Sequence, residues 1–141
     1  MRVYCMKLSK EGYACKGFIG EFEDTLDNMQ RFVGGNIEVF ALTPNLVVVC
    51  NEEGKLRELP LNRFDQITQE LFVGDLFCCR ALNGIFLDIQ PRDIEYINHR
   101  LLGMDLLTPV PNAYLPDFDG EILESYGTED EEDEYQEGYY Y

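Results

Sequence analysis

Apolar residues in this chain recur at two spacings, and each predicts a different kind of element. Residues 36 to 42, Asn-Ile-Glu-Val-Phe-Ala-Leu, put Ile37, Val39 and Ala41 on one face and predict a strand. Leu46-Val-Val-Val-Cys50 is apolar at every position, which predicts a central strand or one covered on both sides. Asn51-Glu-Glu-Gly54 then reads as a turn with positive φ at Gly54, and Lys55 to Leu59 as a returning strand, so residues 46 to 59 are expected to form a hairpin. Weaker strands are expected at residues 2 to 8 and 17 to 23, the second diluted by two glycines. Residues 71 to 82 read as one long strand kinked at Gly74. Asn83-Gly84, suited to a type I′ turn, would lead into a partner strand, Ile85 to Ile89.

Helical spacing appears twice. Thr25 reads as an N-cap, Leu26, Met29 and Val33 share a face, Asp27 suits the first turn, and Gly34-Gly35 supplies the stop. Pro91 suits a first helical position, Asp93 and Glu95 the first turn, Ile94, Ile97 and Leu101 form a face, and Gly103 would end the helix. Residues 60 to 69 are expected to be irregular or to carry one helical turn, and 104 to 116, with three prolines, to lie extended across the body. The expected fold is α+β: a single small, mostly antiparallel sheet with two helices packed on it, spanning residues 1–116.

Charge divides the chain in two. Residues 117–141 hold 11 acids and no Lys or Arg, whereas residues 1–116 are nearly balanced, with a net charge of −5. The acidic, tyrosine-containing tail is expected to be disordered from about residue 127, because like charges repel and little aliphatic material remains to bury. A net charge of −16 argues against direct binding to nucleic acid, whose affinity comes mainly from Lys and Arg. The N-terminus meets Lys7 without an apolar run, and no stretch is long enough to span a bilayer, so the expected location is the cytoplasm, with no membrane contact.

Candidate chemistry is sparse. Cys5, Cys15, Cys50, Cys78 and Cys79 lack zinc or disulfide-framework spacing and read as reduced residues, with Cys78 and Cys79 on opposite strand faces. No metal site and no cofactor is expected. His99 falls near the end of the second helix, where an imidazolium suits the dipole, and no nucleophile accompanies it. Gly34-Gly35 lacks the strand-before, helix-after setting of a phosphate loop. Glu52-Glu53 is either a solvated hairpin tip or a recognition tip. Asn62-Arg63, placed in a loop, would either hold a phosphate or carboxylate of a nucleotide-like ligand or tie the loop down through Glu52, Glu53 or Glu58.

Three segments together carry a resemblance. They are Thr25-Leu-Asp-Asn-Met-Gln30 leading to Val33-Gly-Gly-Asn-Ile-Glu-Val39, Leu46-Val-Val-Val-Cys-Asn-Glu-Glu-Gly-Lys-Leu56, and Leu59-Pro-Leu-Asn-Arg63. Over roughly residues 18 to 80 the chain resembles a family catalogued as domain of unknown function 3846, found in phages and mobile elements of Gram-positive bacteria and their relatives. The resemblance implies a small phage or mobile-element accessory protein and carries no activity with it. Phe64 to Glu70 departs from the family's usual segment, and residues from Pro91 onward lie outside the shared core.

Within the tail, Glu129, Asp130, Glu131, Glu132, Asp133 and Glu134 run together, and Tyr135, Tyr139 and Tyr140 supply flat rings beside them. Carboxylates can stand in for phosphates and rings for stacked bases. The expectation is therefore a non-catalytic inhibitor. It would bind a host protein with a basic nucleic-acid groove, such as a CRISPR or restriction effector, by nucleic-acid mimicry. A small-ligand module using Asn62 and Arg63 is the alternative. Pairing of exposed sheet edges leaves a homodimer open.

Overall fold

The computed structural model describes residues 1–103 and the backbone of 121–125. Ten strands and two helices occur along the described chain: β1 (Arg2–Met6), β2 (Phe18–Glu21), α1 (Leu26–Val33), β3 (Ile37–Thr43), β4 (Leu46–Asn51), β5 (Leu61–Asp65), β6 (Leu71–Val73), β7 (Leu76–Leu82), β8 (Ile85–Leu87), α2 (Pro91–Arg100), β9 (Leu101–Gly103) and β10 (Glu121–Ser125). The α+β class stands. The single sheet does not: the strands form two, and all pairings are antiparallel. The larger sheet runs β10-β2-β1-β7-β4-β3, with β8 also on β7, and the smaller runs β6-β5-β9.

Both faces of the central strands of the large sheet are covered. On one, Val3, Cys5, Val47, Val49, Phe77 and Cys79 pack against Met29, Phe32 and Val33 of α1. On the other, Tyr4, Met6, Val48 and Cys78 pack against Ile94 and Ile97 of α2 and Phe72 of the small sheet. This layering explains the unbroken apolar run of β4, whose six residues are all buried. It also puts Cys78 and Cys79 in separate cores, as the strand period requires.

Local signals were reliable where they concerned caps and tight turns. The Thr25 hydroxyl accepts from Asn28 N at 3.1 Å, and Gly34 closes α1 in the left-handed region at φ 81°. Asn83 and Gly84 both have positive φ, at 51° and 80°, as a type I′ turn demands.

Three expectations are corrected. Residues 55 to 59 do not return as a strand; the chain curls, with Arg57 N donating to Glu53 O and Leu59 N to Gly54 O. The reason is that β4 already has β3 on one side and β7 on the other, so it has no free edge to offer. Gly54 lies outside the positive-φ set; a Cβ there would fall 2.8 Å from Val73 Cγ2, so glycine is required by close approach to β6. Residues 71 to 82 are two strands in different sheets, because Gly74 at φ 77° turns the chain from the small sheet into the large one.

Residues 61 to 65, expected to be irregular, are the central strand of the small sheet. Helix α2 ends at Arg100, three residues before Gly103, because Leu101–Gly103 pairs with β5. From the segment set apart by its charge, Glu121–Ser125 pairs with β2 and forms the edge of the large sheet opposite β3.

Candidate functional site

A cleft of about 330 Å³ opens between the two sheets where β3 and β4 face β6. Strand β3 contributes Glu38 and Phe40, β4 contributes Cys50, the following turn contributes Glu52 and Lys55, and Glu70, Leu71 and Phe72 close the far side. Alternation along β3 sends Glu38 and Phe40 to the cleft side, while Ile37, Val39 and Ala41 face the α1 side. Phe40 meets Phe72 edge to face at 5.1 Å between ring centroids, which fixes the apolar floor.

The charges in the cleft do not balance. Lys55 is held by an ion pair with Glu70. Glu38 and Glu52 have no basic partner among the described residues, and both are exposed. The Cys50 Sγ lies 3.7 Å from Glu38 O. Burial, then the nearby carboxylates of Glu38 and Glu70, push this thiol up to about 11 against the opposing pull of Lys55. At neutral pH it is a protonated thiol and a poor nucleophile. Among the described residues no group of three or more His, Cys, Asp or Glu side chains could hold a metal ion. What the cleft offers is an apolar floor with an anionic rim, suited to a cationic group on an apolar stem.

Asn62 and Arg63 are not in this cleft. They sit in β5, not in a loop, and are 0% and 4% exposed. The β5–β6 register slips by one between Leu61 and Arg63, so Asn62 is an extra residue turned into the core. Its Nδ2 donates to Met6 O at 2.9 Å and Gly74 O at 2.7 Å, bolting the small sheet to the large one. Arg63 Nη1 donates to Asn62 O and Oδ1, and Nη2 donates to Cys15 O. Burial pulls its guanidinium below the usual range. The expected tie to Glu52, Glu53 or Glu58 is absent; main-chain and amide oxygens take its place.

Glu52 and Glu53 separate as the backbone predicts: Glu52 lines the cleft and Glu53 does not. The carbonyl of His99 accepts from Gln66 Nε2 at 2.7 Å. Cys5, Cys50, Cys78 and Cys79 are buried free thiols and Cys15 is partly exposed. The tail residues from Glu129 to Tyr140 singled out above lie outside the described residues. Sequence reasoning missed Glu38, Phe40 and Glu70 as neighbours. The one available signal was in β3, which carries Phe40 on the face opposite Ile37 and Val39 and so has apolar material on both sides.

No helix among the described residues is long and apolar enough to cross a membrane. A family model described as Domain of unknown function (DUF3846) matches residues 10–102. That span is wider than the three segments noticed in the sequence: it includes Phe64 to Glu70 and all of α2. No curated protein and no solved structure matches the chain.

Proposed function

We propose that this chain, which belongs to the family Domain of unknown function (DUF3846), is a non-catalytic phage or mobile-element accessory protein. It binds a host protein that handles nucleic acid, such as a defence nuclease, and inhibits it by presenting carboxylates where that protein receives phosphates. The observation that carries the reading is the union of charge and tether. The acids of Glu129–Glu134 follow closely on β10, whose backbone is paired with β2 at the sheet edge. A short connection to a paired strand keeps the acidic run close to the body, so that run and body can engage one partner together. The run's summed charge steers association with a basic groove, most strongly at low salt. Tyr135, Tyr139 and Tyr140 supply rings for surfaces on which a groove stacks bases.

A nucleotide-like ligand fits less well. The polar groups of Asn62 and Arg63 are engaged in the core, and phosphates entering the cleft would meet Glu38, Glu52 and Glu70.

The test compares the natural chain with one in which residues 129–134 become the corresponding amides. Each is used to capture proteins from a bacterial lysate at low and high salt. The natural chain should retain nucleic-acid-binding proteins that salt or single-stranded DNA releases, and the amide form should not. Equal capture by both, with equal salt sensitivity, removes the acidic run from the mechanism.

A further inference from the structure

We infer that the outer edge of β3, together with the anionic cleft beside it, is a second docking site, for an extended basic segment of a protein partner. It lies at the opposite end of the large sheet from β10 and does not depend on the acidic run.

Strand β3 ends the sheet order and, among the described residues, pairs only with β4. Its seven residues are long for an edge, and of the usual guards, which are Lys, Pro, a bulge or a cover, the described residues show a bulge at Leu42, near its far end. β3 has neither Lys nor Pro. The bond from Glu52 N to Asn36 O sets the phase of the ladder. By the alternation of antiparallel pairs, Glu38 and Phe40 spend their amides on β4, while Val39 and Ala41 turn theirs outward. Both outward residues are exposed, Val39 at 45%. An incoming strand would take main-chain hydrogen bonds from these two positions.

Charge selects the occupant. Side chains of an added strand alternate between the two faces of the sheet. Those on the cleft side would lie beside Glu38 and Phe40, where a long side chain can reach across β3 towards Glu52, and neither carboxylate has a basic partner among the described residues. Lys or Arg fits there, its stem on the ring and its head between carboxylates. Those on the other side would lie beside Val39 and Ala41 and favour apolar residues. The same carboxylates disfavour this chain's own acidic run. They also disfavour a second copy, whose β3 would bring two acidic clefts to one seam.

The probe is a fluorescein-labelled ten-residue peptide alternating arginine and valine, titrated against the full chain by anisotropy. It should bind in a salt-sensitive manner. A glutamate-for-arginine peptide should not bind, and an arginine peptide N-methylated at alternate amides should bind more weakly by about tenfold or more, with only contact to the acidic run left to it. The E38Q/E52Q variant should weaken binding by about tenfold or more. Val39→Pro and Ala41→Pro each remove an outward N–H that the β3–β4 ladder does not use, so the fold should persist while binding weakens to the level of the N-methylated peptide. All these variants keep residues 126–141, so binding that they leave unchanged belongs to the acidic run and overturns the proposal. Equal binding of the N-methylated peptide overturns it, as does spermidine binding as tightly as the arginine peptide. A dimer that Val39→Pro dissociates would show the edge belongs to a second copy, and that also overturns it.

Discussion

The Arg100 guanidinium lies side-on to the Asp65 carboxylate, with Nε on Oδ1 and Nη2 on Oδ2, both at 2.8 Å. Arg100 closes α2, and Asp65 ends β5. The remaining arm of Arg100, Nη1, donates to Leu42 O of β3 and to Tyr96 Oη. Leu42 is the residue skipped where the β3–β4 register shifts, which leaves its carbonyl available. One buried ion pair therefore joins a helix, the small sheet and the edge strand that borders the cleft.

Asp65→Asn should destabilise the fold by about 3–5 kcal/mol, because it leaves a guanidinium buried without its counter-charge. Denaturant unfolding measures this. A double variant, Asp65→Leu with Arg100→Met, should cost less than the single change, since neither charge is then stranded.

The same pair predicts acid sensitivity. Desolvation pushes Asp65 up, but the bonds from Arg100, Thr68 and Ile67 N outweigh it and hold the carboxyl at about 2, against an ordinary 3.8. A group lowered by folding contributes fully above its unfolded value and loses that contribution as pH falls through the folded one. Thermal stability should decline from about pH 4 towards pH 2, and Asp65→Asn should flatten that decline.

Asn62→Ala should cost about 2–4 kcal/mol, since it strands the carbonyls of Met6 and Gly74 and leaves a void between the sheets. Capture of partners at temperatures well below its melting point should match the natural chain. A loss of binding without a loss of stability would instead assign Asn62 to a ligand.

Gly54→Ala places a methyl against Val73 and should cost about 1–3 kcal/mol. Val73→Ala on the same background should recover part of it. The coupling energy of a double-mutant cycle reports the contact.

Thiol reagents at neutral pH should modify Cys15 first, as it is the one cysteine that is not buried, although burial also raises its thiol. Burial holds Cys5 and Cys78 well up and Cys79 at about 12. Mass spectrometry should show one early adduct in the native protein and five in denaturant.

Local chemistry by itself determined the caps of α1, the Asn83-Gly84 turn, the apolar face of α2 and the double burial of β4. Each depends on residues within a few positions of one another, where backbone sterics and side-chain period decide the outcome. The division of charge at residue 117 was equally legible, being a matter of composition. Only the tertiary structure decided that residues 55 to 59 curl and residues 61 to 65 extend. A strand exists by virtue of a free edge, β4 had none left, and β6 and β9 supplied one on each side of β5. It alone decided the environment of Arg63, because a bulge turned Asn62 inward and brought Cys15 O, 48 residues away, within reach. The cleft follows the same logic: the β3–β4 hairpin brings Glu38 near Glu52, but Glu70 joins them only when the two sheets stack, and no local pattern encodes that distance.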